Sequence, residues 1–167
     1  MPGEIAEILS IGKQLQSLVE ALPRSISKWF ELLDEIKRRK KASDIGYVVA
    51  EIEDRLFTRY QLIYDFEGIS ESGTLSQDKY DDLIIRLSRR MEYLKEFNEK
   101  IPELMVGLGN PELAAKIKDV TSKSIELYAE IIGLENPNKF IEIAPHIVPV
   151  LKHIAELLEK SRNMLRN

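Results

Sequence analysis

Apolar residues recur along almost the whole chain at intervals of three and four, the period of one face of an α-helix. Ile8, Ile11, Leu15, Leu18 and Leu22 make a heptad-like seam that Pro23 interrupts. A second helix is predicted with Ile26, Trp29, Phe30, Leu33 and Ile36 on one face, running out into a basic stretch. Ser43 and Asp44 suit the cap of a third, which turns Val48, Val49, Ile52, Leu56, Tyr60 and Ile63 inward. A fourth passes through Leu83, Leu87, Met91, Leu94 and Ile101 until Pro102, which should break or kink it and leave a short turn to Val106. The fifth, from Pro111 to Ile132, buries Leu113, Ile117, Val120, Leu127, Tyr128 and Ile131. The sixth, from Pro137 to about Leu165, contains Pro145 and Pro149 and could restart at the first of them. No segment alternates at period two for long enough to be a strand. The expected fold is all-α: a single-domain antiparallel bundle of about six helices over residues 1–167, joined mostly by short turns.

The punctuation supports this reading. "EGISESGTLSQ", Glu67 to Gln77, is the longest loop signal and the natural place for any internal division, at 68–76. Ser76 can cap the helix that follows, with Leu75 and Tyr80 spaced for a hydrophobic staple. "VGLGNPEL" and "IGLENPNK" share the form apolar-Gly-Leu-x-Asn-Pro. Gly107 and Gly133 are expected to take the left-handed conformation just past a helix end, with Leu108 and Leu134 folding back. Asn110 and Asn136 then cap the next helix, and Pro111 and Pro137 take its first position. Gly68 and Ile69 repeat the first half of the device. A phosphate-loop reading of "GLGNP" fails for want of a preceding strand.

Composition narrows the class. With 44% apolar and 31% charged residues, the 167-residue chain is globular, and at this length about 70% of the unfolded surface can be buried without a disulfide or metal. Cysteine is absent, which removes disulfides, thiolate metal sites and cysteine nucleophiles. Abundant Ile, Glu, Lys and Arg resemble a thermophile's usage. The longest uncharged apolar run, near residues 143–151, is too short for a bilayer of about 30 Å. No signal peptide is read, because Glu4 and Glu7 fall where its apolar core would lie. The expectation is a soluble, cytoplasmic protein without a membrane partner.

One stretch breaks the acidic balance: Lys37, Arg38, Arg39, Lys40 and Lys41 are consecutive. Five residues at about 100° each wrap more than a full helical turn, so they project into solvent. Asp34 and Glu35 stand four before Arg38 and Arg39, in the favoured acid-then-base order. Read blandly, this is a solvated helix end whose cations complement the macrodipole. Read sharply, it grips a phosphate backbone, with Arg86, Arg89 and Arg90 as accessory cations. Asp82, however, stands four before Arg86. Once the five cations are subtracted from the net charge of −4, the rest of the chain stands at −9, so a general nucleic-acid footprint is missing.

The histidines add little chemistry. Projected at 100° per residue, Glu142, His146, Pro149, His153, Glu156 and Lys160 form a polar stripe opposite Ile143, Ile147, Val150, Leu151, Ile154, Leu157 and Leu158. His146 and His153 lie roughly 10 Å apart along the axis and cannot share an ion. Each can recruit one carboxylate, whereas a site needs three or four ligands. No metal and no cofactor are expected. Nucleophile motifs of the Gly-x-Ser-x-Gly or His-Glu-x-x-His kind do not occur, so the balance leans away from an enzyme; a hidden carboxylate pair is the remaining catalytic option. Tyr47 and Tyr64 sit off the main apolar faces and, with His146 and His153, are the candidate interaction surface. The leading expectation is a non-catalytic module for protein–protein interaction or assembly, with a protein partner or self-association. The alternative is a nucleic-acid-associated helical subunit.

Overall fold

The computed structural model describes residues 3–27, 50–52, 54, 62–108 and 111–166, with the backbone alone at 102–108, 165 and 166. Lys37 to Lys41 and Tyr47 lie outside the described residues. So do most of the predicted second and third helices; Ile26, Ile52 and Ile63 are described, and all three are buried. Among the described residues five helices of 11 residues or more are present: α1 (Gly3–Glu20), α2 (Leu62–Ser72), α3 (Gln77–Leu108), α4 (Pro111–Ile132) and α5 (Pro137–Arg166). Shorter helical segments occupy 22–27 and 50–52, and the described residues contain no strand. The protein is an all-α bundle.

Periodicity becomes packing directly. The α1 seam buries Ile5, Ile8, Ile11, Leu15 and Val19, and the following segment adds Leu22. The seam is therefore spent inside its own bundle, where α1 lies against both α4 and α5. On the other side α2 packs on α5, and α3 along α4. Only residues 109 and 110 separate α3 from α4, so these two packed helices run antiparallel. α1 and α5 run in the same direction. Glu4 meets Lys139 at 2.6 Å, a Cβ on Gly12 would lie 3.3 Å from Ile147 and Val150, and Glu20 meets His153 at 3.4 Å, so both numberings climb together. Parallel neighbours need a long connection, and α2 to α4 supply it. The buried side chains of all five helices belong to one core cluster.

The prolines resolve differently from one another and from expectation. α5 is a single helix through Pro145 and Pro149. Both prolines are exposed, so carbonyls that lose a partner one turn earlier can turn to water. α3 likewise continues past Pro102 as far as Leu108, so the break expected there does not occur and Gly107 lies inside the helix. Packing along α4 outweighs the one lost backbone bond.

The left-handed positions are also displaced. α2 runs through Gly68 and Ile69, and its left-handed residue is Gly73, at φ 65°, whose N–H donates to the Ile69 carbonyl. The loop thus shrinks to 73–76. Ser76 caps α3 by accepting from the Lys79 N–H at 3.3 Å, and Tyr80 is buried with Leu75 half-buried, as a staple requires. After α4, Gly133 still donates to Ala129 and is not left-handed; Glu135 is, at φ 54°. The reason is local. Leu134 and Glu135 donate three residues back, to Ile131 and Ile132, which tightens the last turn, buries Leu134 and postpones the reversal. Asn136 behaves as expected, its side-chain oxygen accepting from the Asn138 N–H at 2.8 Å, with Pro137 opening α5.

Candidate functional site

The densest polar chemistry in the described residues lies where α2, α3 and α4 meet. Asp65 is on the flank of α2 beside its buried face, with its side chain only 12% exposed. One carboxylate oxygen accepts from Arg86 at 2.8 Å and the other from Arg90 at 2.7 Å. Arg86 and Arg90 are one turn apart on α3, so a single carboxylate spans both. Arg86 also donates through Nε to Asp82 at 3.1 Å. From α4, the fully buried Tyr128 brings its hydroxyl to the Arg90 guanidinium.

Electrostatics fix the protonation states. Burial pushes the Tyr128 phenol up to about 12, and the neighbouring Arg90 cation only partly offsets this. The hydrogen bond to Asp65 raises the Arg86 guanidinium above its already high value. Nearby, burial raises Tyr80, helped by the Glu135 and Asp81 charges. Its ring meets Phe140 edge-on at 5.3 Å, while Phe66 stacks on the same ring at 5.7 Å. Tyr128 and Arg86 both keep their protons through neutral pH. The cluster is thus a latch joining three helices, and it holds no acid–base pair.

Between the C-terminal half of α2, the loop 73–76 and the first turns of α3 lies an open groove of about 450 Å³. Its floor is apolar, from Ile69, Leu75 and Leu83, and Lys79, Asp82 and Arg86 stand along its α3 wall. Asp65 and Arg86 close its inner end, so the latch is also the wall of the groove.

The residues singled out from the sequence fare unequally. Arg86 and Arg90 come together, but onto Asp65, while Arg89 is exposed. The Asp82–Arg86 pair forms as its spacing implies. Tyr64 is 71% exposed. His146 and His153 both lie on the exposed stripe, and His153 faces Glu20 at 3.4 Å with both side chains about half exposed. Such a pair is worth well under about 1 kcal/mol. Among the described residues, no group of three or more His, Asp or Glu side chains is placed to hold a metal ion. Likewise, none of the described helices is long and apolar enough to cross a membrane. Asp65 is what sequence reasoning missed. Its partners lie 21 and 25 residues away, beyond any helical spacing, and the one available signal was a carboxylate flanking an apolar helix face.

Comparison of the chain with models of known families, with curated proteins and with solved structures found no match.

Proposed function

We propose that the chain is a non-catalytic helical module that acts by binding another protein or a second copy of itself. The observation that carries this reading is the exposure of Tyr64, at 71%, on α2, where the rest of the helix sorts its large apolar residues inward. Ile85, 53% exposed on α3, adds a second large apolar side chain on the outside. Tyrosine supplies contact area at low entropic cost and is enriched in interface centres. The polar cluster supports the same reading, because its charges are committed to one another. Of the accessory cations in the nucleic-acid alternative, only Arg89 stands clear of the Asp65 latch.

The test is sedimentation velocity across a concentration series, together with crosslinking to co-purified proteins, for the full chain and for Tyr64→Ala with Ile85→Ala. A complex that weakens in the variant supports the reading. A strictly monomeric protein that crosslinks to nothing sinks it. Salt-sensitive binding of labelled DNA or RNA, lost when residues 37–41 become Ala, would favour the alternative instead.

A further inference from the structure

We propose that the groove between α2 and the first turns of α3 binds a small organic anion, a carboxylate or phosphate ester carrying an apolar group. Its volume of about 450 Å³ suits a ligand of that size. An apolar floor with a few convergent polar groups is the common design of such sites. Here the floor is Ile69, Leu75 and Leu83, of which Ile69 and Leu83 are buried beneath the surface. Lys79 and Arg86 stand seven residues apart on α3, roughly 10 Å along its axis. Among the described residues the Lys79 ammonium has no hydrogen-bond or ion-pair partner. Arg86 spends two of its five N–H donors, on Asp65 and Asp82. Of the charged residues that line the groove, Asp65, Asp82 and Arg86 are paired with one another, which leaves Lys79 as the lining cation without a partner among the described residues. Asp65, bridging two arginines, holds the inner wall in place before any ligand arrives.

Gly68 stands on the wall of the same groove. It lines the groove from the middle of α2, takes no left-handed φ, and a Cβ there would meet nothing within 4 Å. Neither backbone conformation nor packing therefore requires glycine, although a glycine inside a helix is unfavourable relative to alanine. What it does is keep the α2 wall bare where the groove opens. The inference is independent of the protein-interaction reading, since it concerns a different class of partner.

The experiment follows backbone amide shifts of the isotope-labelled full chain during titration with phenyl phosphate, phenylacetate, inorganic phosphate and benzyl alcohol. Saturable shifts confined to residues 65–86 are expected with both aromatic anions. Inorganic phosphate and benzyl alcohol should bind at least about tenfold more weakly, since each satisfies only half of the site. Gly68→Phe should fill the groove and abolish the shifts, with helicity intact. Gly68→Ala should bind as the parent does and melt at a higher temperature. Lys79→Gln should weaken both anions about tenfold. The proposal is overturned if neither aromatic anion gives saturable shifts at millimolar concentration, or if the shifts fall elsewhere on the molecule. It is equally overturned if binding survives unchanged in Lys79→Gln, or if inorganic phosphate matches phenyl phosphate.

Discussion

The region around α1, α4 and α5 and the hairpin of α2 and α3 are built on different physics. In the first, α1 lies between two long helices, and contacts between apolar side chains such as Ile8, Leu15, Ile147 and Leu151 hold it. Of its buried polar side chains, Thr121 and Ser124 return their hydroxyls to their own helix at 2.8 Å, whereas the buried Ser161 hydroxyl of α5 finds no hydrogen-bond partner among the described residues. The helices of the second region also bury apolar residues, α2 against α5 and α3 along α4, but to each other they are tied by Asp65, Arg86 and Arg90, with Tyr128 of α4 completing the tie. Dry packing is non-directional and tolerant of small shifts, whereas a bridged carboxylate is directional and fails if one partner leaves. The two regions should therefore respond differently to mutation.

The largest effect is expected from Phe140→Ala, at the apolar junction between the two regions. It removes a fully buried ring that both Phe66 and Tyr80 contact, and should cost about 3–5 kcal/mol in denaturant unfolding. A loss below about 1 kcal/mol would mean that this junction is not packed as described. Asp65→Ala should come next, at about 2–4 kcal/mol. That value is discounted from a fully buried pair because Arg86 is 42% exposed. Hydrogen exchange should then quicken in α2 and the first half of α3 while α1 and α5 stay protected; uniform quickening would erase the distinction between the two regions.

Alkaline pH probes the latch from the other side. Tyr128 has a folded-state value of about 12 against an unfolded value of 10, so its contribution is complete below pH 10 and disappears as pH climbs from 10 to 12. At 1.36 kcal/mol per unit, the loss is about 2–3 kcal/mol. Tyr128→Phe should flatten most of that decline, leaving the smaller part due to Tyr80. A wild-type stability that is level from pH 9 to 12 would contradict the burial of this phenol.

Three further substitutions sharpen the picture of the dry side. Gly12→Leu should cost about 2 kcal/mol by overpacking, because a Cβ there already lies 3.3 Å from Ile147 Cδ1 and Val150 Cγ1. Gly12→Ala should fall within about 0.5 kcal/mol of the parent, since its gain in helix propensity offsets a contact that side-chain ends can relieve. Glu135→Gly should raise stability by about 0.5 kcal/mol, as glycine accepts the φ of 54° without strain. If calorimetry shows Glu135→Gly melting lower, the left-handed turn is wrongly placed.

Much of the bundle was legible before folding was considered. The apolar faces of α4 and α5 match residue for residue at Leu113, Ile117, Val120, Ile143, Ile147 and Ile154. The polar stripe through Glu142, His146, Pro149, His153, Glu156 and Lys160 is exposed throughout. Caps at Ser76 and Asn136 also read correctly, because a side chain bonding to a backbone N–H two or three residues on is a local event. The helix end at Ile132 and the burial of Leu134 also read correctly, but the left-handed residue there is Glu135 instead of Gly133, and α2 runs on through Gly68 to Ser72.

Amino-acid order alone decided what one helix can know about itself: its period, its buried face, its caps and its charge pairs at i and i+4. These depend on neighbours within one turn. Tertiary structure decided that Pro102 and Pro145 would be absorbed, that α1 would lie parallel to α5, and that Asp65 would meet Arg86 and Arg90 across more than twenty residues. The groove with Gly68 on one wall and Lys79 on the other exists only because two separate helix surfaces face each other. Such facing is a property of relative placement, set by the sum of many weak contacts, and no single stretch of chain encodes it.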